Sequence, residues 1–337
     1  MSDNKKRSGF RWGRTLLKVA VSGLLMFIVL RRISLEELRG VVVNMDGSLL
    51  LAAFLCFLCS NILGSFQWYQ LLIASGVKLG FPQTFRFYFV GLFFNNFLPA
   101  NIGGDAVKVY DVSRFGSSVY QVIAVTLLDR LLGIFGLCLL ATLAVVYLLP
   151  GHGPDPYGFY LLIFMACMLP AIGFYMWGWL GRLLRRVVLI IRPLSLDERI
   201  SSILDHLGEF KGRKQLVVGL VGLSIVIQTL RVSTHILVAL AIGVTVDRIL
   251  ALEFFVIVPL LGLAMIPPIT INGLGIREGL GMVLFAAAGV SQTDAFATEI
   301  LTWAVSVVVS LLGFGFFLAR RGSRGQQGSD GETVYRT

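Results

Sequence analysis

The sequence predicts an all-α polytopic membrane protein with about six full transmembrane helices and two broken, re-entrant elements. Three observations predict it. Residues of the AVILMFWYC set fill 56% of the 337 positions and charged residues only 14%, where a soluble domain carries roughly 25% charge. So few charges cannot cover a water-facing surface. Mean hydropathy is +0.82. Finally, apolar runs of spanning length, about 20 residues, recur between short basic flanks.

Six segments meet the length requirement in order: 13–30, 49–73, 121–149, 157–179, 215–242 and 294–319. Two further apolar stretches, 82–98 and 250–290, are interrupted by proline, glycine and polar residues. The net charge of +10 and pI near 9.7 do not point to nucleic acid. The bases flank the apolar runs, as the positive-inside rule and anionic headgroups require.

Lys5, Lys6, Arg7, Arg11, Arg14 and Lys18 against Asp3 alone place the N-terminus in the cytoplasm. Arg31, Arg32 and Arg39 are balanced by Glu36, Glu37 and Asp46, and 151–156 holds one acid and no Lys or Arg, as expected outside. Segment 180–214 carries eight bases against four acids, a cytoplasmic signature. Its Leu183, Leu184, Val187, Val188 and Ile191 suit an amphipathic helix on the inner leaflet; a plain linker fits equally well. Arg320, Arg321 and Arg324 put the C-terminus inside, with 321–337 as a disordered tail. One transmembrane domain, 1–320, results.

Charge counting then constrains the interrupted stretches. The one at 82–98 must return to the cytoplasm, and the one at 250–290 must dip in from the exterior and come back. A re-entrant hairpin and two short full spans both satisfy the count. Halves 13–149 and 157–319 would then form an inverted repeat with broken helices meeting near the midplane. Cys56, Cys59, Cys138 and Cys167 all lie in apolar runs and define no disulfide or zinc framework. No cleavable signal peptide is expected, since the first apolar run is too long and lacks a small-x-small site.

The first break runs Asn95, Asn96, Phe97, Leu98, Pro99, Ala100, Asn101, Ile102, Gly103, Gly104, Asp105, with Lys108 one turn on. Pro99 interrupts helix, and Gly103 and Gly104 permit conformations a side chain forbids. Asp105 is expected to accept free N–H groups at a new helix N-terminus. Such a break must pack in protein or line a wet cavity; an ordinary cytoplasmic loop is the alternative. The second break runs Ile266, Pro267, Pro268, Ile269, Thr270, Ile271, Asn272, Gly273, Leu274, Gly275, Ile276, Arg277, Glu278, Gly279. Adjacent Arg277 and Glu278 at bilayer depth favour a functional cavity over a structural ion pair. If the breaks meet, 103–105 approaches 273–277. An Asp105–Arg277 pair is the sharpest form, with Lys108 and Glu278 as equally near competitors.

Asp129 and Arg130 fall early in the third span, where Arg130 suits a lipid phosphate or a local interface pair. Arg231 is too deep to face lipid and is expected to line a cavity. His235 reads as a hydrogen-bonded packing residue. Asn61, Gln67, Trp68 and Tyr69 suit helix contacts and an interfacial belt.

Leu98-Pro99 with Ile102 to Asp105 and Lys108, then Asp129 to Gly133, then Pro268 with Gly273 to Gly279, resemble the lysylphosphatidylglycerol synthase transmembrane family. Its members are also called flippase-like domain proteins. The resemblance covers almost the whole chain; Lys108 stands where the family more often has arginine. It implies a stand-alone flippase-like module lacking the soluble aminoacyl-transferase domain of full-length synthases, in the bacterial cytoplasmic (inner) membrane.

The leading functional expectation is translocation of a phospholipid or polyprenyl-phosphate headgroup. Its expected binding set is Asn96, Pro99, Gly103, Gly104, Asp105, Lys108, Asp129, Arg130, Arg231, Gly273, Gly275, Arg277 and Glu278. Bases and half-helix N-termini at membrane depth both favour phosphate. Expected partners are membrane lipids with an anionic phosphate headgroup and a lipid-synthesising enzyme. No P-loop, H-E-x-x-H, G-x-S-x-G or Asp-x-x-Asp cluster occurs. No cofactor, metal or catalytic residue is therefore expected. The alternatives are an integral membrane transferase acting on lipid phosphates through Asp105, Asp129 and Glu278, or a scaffold for a lipid-modifying enzyme.

Overall fold

The structure, a computed structural model, describes residues 35–97, 103–152, 156–175, 196–267, 270 and 273–329. The expected span at 13–30, Pro99 and the apolar residues 183–191 of the amphipathic reading lie outside them. Among the described residues every regular element is a helix. In chain order the helices are α1 Leu35–Val43, α2 Gly47–Ala74, α3 Phe81–Phe97, α4 Gly103–Ser113, α5 Val119–His152 and α6 Tyr157–Tyr175. Then come α7 Leu196–Gly208, a 3₁₀ turn Glu209–Gly212, α8 Lys214–Ala241, α9 Arg248–Ala264, α10 Ile276–Ala287 and α11 Gln292–Ser329.

Among the described residues four helices are long and apolar enough to cross a membrane: Gly47–Ala74, Val119–Gly151, Lys214–Ala241 and Gln292–Ala319. They coincide with four of the expected spans to within two residues. The expected span 157–179 corresponds to α6. The last helix continues to Ser329, into the stretch expected as a tail. Many large apolar side chains face outward, Leu143, Phe159, Leu162, Leu169 and Val283 among them, as a lipid-facing wall requires.

Two matching series of elements build the fold. α2 and α8 are both 28 residues long, and α3 and α9 both 17. Each pair is joined by a link, 75–80 or 242–247, that turns on a left-handed glycine: Gly76 at φ 91° and Gly243 at φ 92°. The N–H of the next residue closes both turns at 3.0 Å, Val77 onto the carbonyl of Leu72 and Val244 onto that of Ala239. A short helix and a long one complete each series.

The two series run in opposite directions. The N–H of Asp46, before α2, donates to the carbonyl of Ala241 at the end of α8 at 2.7 Å. Cys56 Sγ donates to Leu230 O at mid-length, 3.2 Å away. The C-terminal Gln70, Ile73 and Ala74 of α2 face 212–216 across a cleft of about 490 Å³. α2 and α8 are therefore antiparallel neighbours.

Each short helix folds back on the one before it. Phe87 of α3 meets Phe115 just beyond α4, and the N–H of Gly104 donates to Asn95 Oδ1 at 2.8 Å. α4, with 11 residues, reaches only about 16 Å, half of a roughly 30 Å hydrocarbon core. α9 and α10 repeat this, with the Phe254 and Phe285 rings tilted against each other at 4.7 Å between ring centres.

Helices in lipid gain little from burying apolar surface against one another, so close approach and hydrogen bonds hold them. A side chain at Gly313 would run into the carbonyl of Phe89, so α11 and α3 touch backbone to backbone. Ser224 Oγ donates to Leu132 O at 2.8 Å and Gln228 Nε2 to Gly133 O at 3.0 Å, tying α8 to α5. Buried Leu204, Leu207 and Phe210 join the core of α2, α3, α5 and α8, so the apolar side of α7 is packed on protein.

Candidate functional site

The charged residues of the two breaks come together at the tips of the two hairpins. At the first, Asp105 is the third residue of α4. Its carboxylate accepts from Lys108 Nζ at 2.8 Å and from Arg130 Nε of α5. Lys108 is buried, with its ammonium 5.1 Å from the Trp68 ring centre and 5.0 Å from that of Tyr88. The aromatic faces compensate part of its lost hydration. Asp129 is not paired with its neighbour Arg130; it accepts from Gln67 Nε2 at 2.9 Å. Arg231 of α8 lies within electrostatic reach of Asp129 and Tyr88. Three bases therefore face two acids. Arg130 is 43% exposed while Asp105 is 10% exposed, so the guanidinium is the accessible arm of the cluster.

The local helix start explains why Asp105 is available. A helix N-terminus leaves N–H groups without partners, and Asp105 was expected to take them. Instead Asn95 of α3 takes the N–H of Gly104, and the carboxylate of Asp105 goes to the bases. Gly104 differs from expectation: it has no positive φ. What Gly104 supplies is room, since a Cβ there would meet the backbone carbonyl of Gly91. Asn96 Nδ2 donates to Leu92 O of its own helix, and the cap on Gly104 comes from its neighbour Asn95.

At the second tip the glycines do act through conformation, with Gly273 at φ 74° and Gly275 at φ 85°. Glu278, third in α10, reaches back with Oε2 to the N–H of Gly275 at 2.6 Å and accepts from Arg277 Nη2 on Oε1 at 2.7 Å. Arg277 Nε also lies 3.3 Å from Glu299 Oε2 of α11. Glu299 in turn meets His235 Nδ1 of α8 at 3.0 Å. Both glutamates are fully buried.

The sequence-derived set thus separates into two clusters. The Asp105–Arg277 pair is not formed: each partner is held by a nearer charge, Lys108 and Arg130 for Asp105, Glu278 and Glu299 for Arg277. α4 and α10 share no extended contact. α8 links the clusters, with Arg231 acting on the first and His235 on the second. Sequence reasoning missed Asn95, Tyr88 and Glu299 as members, assigned Gln67 and Trp68 to helix contacts, and read His235 as packing. Glu299 carried a usable signal, an acid inside an apolar span; Trp68 and Tyr88 carried none. Among the described residues no group of three or more side chains is arranged for a metal ion.

Comparison with known proteins agrees with this architecture. The family described as lysylphosphatidylglycerol synthase TM region matches residues 15–313. A UPF0104 membrane protein of Pyrococcus horikoshii is 24% identical over 320 residues, 88% of this chain and 94% of its own. UPF0104 membrane proteins of Methanothermobacter thermautotrophicus and Methanocaldococcus jannaschii are each 23% identical, over 89% of this chain and 93% of theirs.

Proposed function

We propose that this chain, which belongs to the lysylphosphatidylglycerol synthase TM region family, translocates the phosphate-bearing headgroup of a membrane lipid. It is a multi-pass integral membrane protein. The observation that carries the reading is the Asp105 carboxylate held between Lys108 and Arg130 in the first turn of α4. A carboxylate bridging two bases occupies the position a phosphate would take. Lipid phosphate oxygens reach Arg130 first, because it is the exposed arm, and then compete with Asp105 for Lys108. Arg231 supplies a further positive charge on the neighbouring helix. The acyl or polyprenyl tails stay in the bilayer while the headgroup moves past the tip.

The anionic lipid, with a lipid-synthesising enzyme as its supplier, is the proposed partner, and a bacterial cytoplasmic membrane with both termini inside is the proposed location. Labelling of single cysteines at position 152 from outside and at position 195 only from inside is the expected pattern. Labelling of 195 in intact cells reverses the orientation.

Vesicles containing the purified protein and a fluorescent anionic phospholipid test the activity. A membrane-impermeant reductant should bleach the inner-leaflet pool faster than in empty vesicles, with no new lipid species formed. A new lipid product instead would favour the transferase, and neither outcome would leave a scaffold.

A further inference from the structure

We propose that the cleft between the ends of α2 and α8 binds the headgroup of an anionic phospholipid, as a lipid site separate from the first hairpin tip. The cleft of about 490 Å³ has Gln70, Ile73 and Ala74 on one side and the turn 212–216 on the other. That volume falls in the range of small-molecule sites. Its level in the bilayer follows from helix length. α2 and α8 have 28 residues each, about 42 Å of helix. A bilayer measured with its headgroup regions is roughly 40–45 Å thick. The helix ends, and the cleft between them, therefore lie among headgroups.

Two chemistries meet in this cleft. The first is positive charge. The lining holds two bases, Arg213 and Lys214, and no acid. Both bases are exposed, and neither has an ion-pair partner among the described residues. The charges on the adjoining elements leave them unopposed. Glu209 lies 3.1 Å from His206 Nδ1, Asp205 is matched in number by Lys211, and Lys78 in the link after α2 adds a further base. Asp197, Glu198 and Arg199 sit at the far end of α7, roughly 15 Å of helix before Gly208.

The second chemistry is apolar. Ile73, 45% exposed, ends an outward stripe on α2 made of Leu51, Leu55, Ile62, Phe66 and Ile73. Spacings of four and seven keep these residues on one helix face. Val218, exposed on α8, continues the apolar surface beyond the basic turn. A soluble anion would use the bases alone. A phospholipid uses both, with its phosphate on Arg213 and Lys214 and its acyl chains along the stripe. Basic groups at this level attract anionic lipids.

The site is testable by binding. In an otherwise Cys-less protein reconstituted in phosphatidylcholine, a fluorophore on Val218→Cys should be quenched by phosphatidic acid with brominated acyl chains. Brominated phosphatidylcholine should need a several-fold higher mole fraction. A fluorophore on Leu162→Cys, on the outward wall of α6, should show no such preference. Arg213→Gln combined with Lys214→Gln should weaken the preference roughly ten- to thirty-fold, since each base near the surface contributes a factor of about five. An unchanged melting temperature confirms that this variant is folded. Equal preference at positions 218 and 162, or an unaffected double variant, overturns the site. Displacement of the brominated lipid by inorganic phosphate at constant ionic strength makes it a site for free anions and overturns the lipid assignment.

One consequence rests on the transport reading. Gln70 lies one turn of α2 from Gln67, which donates to Asp129, so a lipid in the cleft stands beside the first cluster and loads it. The double variant should therefore translocate slowly at a low fraction of anionic lipid and recover at a high one. A wild-type rate at every fraction overturns the loading role. If the wild type moves no lipid, the transport reading fails and the quenching alone decides the cleft.

Discussion

The two hairpin tips share a plan and differ in charge. Each has a 17-residue helix, a break and a short helix whose third residue is an acid, Asp105 or Glu278. At the first tip Asn95 of the preceding helix caps the new one, so Asp105 is left to the bases. At the second tip Glu278 caps its own helix through Gly275, and half of its capacity is used locally. The first cluster is base-rich and opens through Arg130; the second is acid-rich and closed. One backbone plan therefore hosts an anion seat at one tip and a sealed carboxylate site at the other. The choice is made by who caps the helix and which charges the neighbouring spans contribute.

The sharpest way to separate the tips is to remove one arginine from each. Arg277→Ala leaves Glu278 and Glu299 buried without their cation and should cost about 3–5 kcal/mol of stability, read as a large fall in melting temperature in detergent. Arg130→Ala removes a half-exposed partner and should cost no more than about 1 kcal/mol. Its effect belongs in binding instead. Loss of a charge-assisted hydrogen bond of about 1.5–3 kcal/mol should weaken the fluorescent anionic phospholipid roughly ten- to hundred-fold, measured by quenching in the reconstituted protein. Equal melting losses for both variants would erase the distinction between an open and a sealed tip.

Two glycines give a second contrast. Gly104→Ala drives a methyl group into the carbonyl of Gly91, and backbone against backbone has no side chain that can yield. An overpacking cost of about 1–3 kcal/mol, with loss of headgroup movement, should follow. At Gly281 the new Cβ would stand 3.0 Å from Cγ of Glu299, a side chain that can shift by a few tenths of an ångström. Gly281→Ala should melt closer to the wild type.

The smallest expected signal concerns the space between the tips. In a Cys-less background, cysteines at positions 106 and 276 should not crosslink with a short reagent in the resting protein, because α4 and α10 share no extended contact. Ready crosslinking would show that the tips meet and that the separation by α8 is transient.

How much of this was legible beforehand differs by scale. The spans 49–73, 121–149, 215–242 and 294–319 were readable because lipid demands a fixed length of apolar helix, and that demand is one-dimensional. The breaks were readable for a related reason: proline, paired glycines and charge are out of place in hydrocarbon wherever the chain goes. Asp105, Lys108, Arg130, Arg277 and Glu278 could therefore be named from the sequence.

Their partners could not. On the sequence alone Lys108 and Glu278 are equally near competitors for the Asp105–Arg277 pair, and only the packing of α5, α8 and α11 against the hairpins shows that they win it. Asn95 rather than Asn96 caps α4 because helical phase aims one of two adjacent asparagines at Gly104. Trp68 and Tyr88 look like any membrane aromatics until Lys108 is laid between them. His235 and Glu299, 64 positions apart, become a pair only when α8 and α11 pack. Length, apolarity and the cost of a buried charge are properties each residue carries along the chain. Which charge neutralises which is a property of distance, and the tertiary structure alone sets distance.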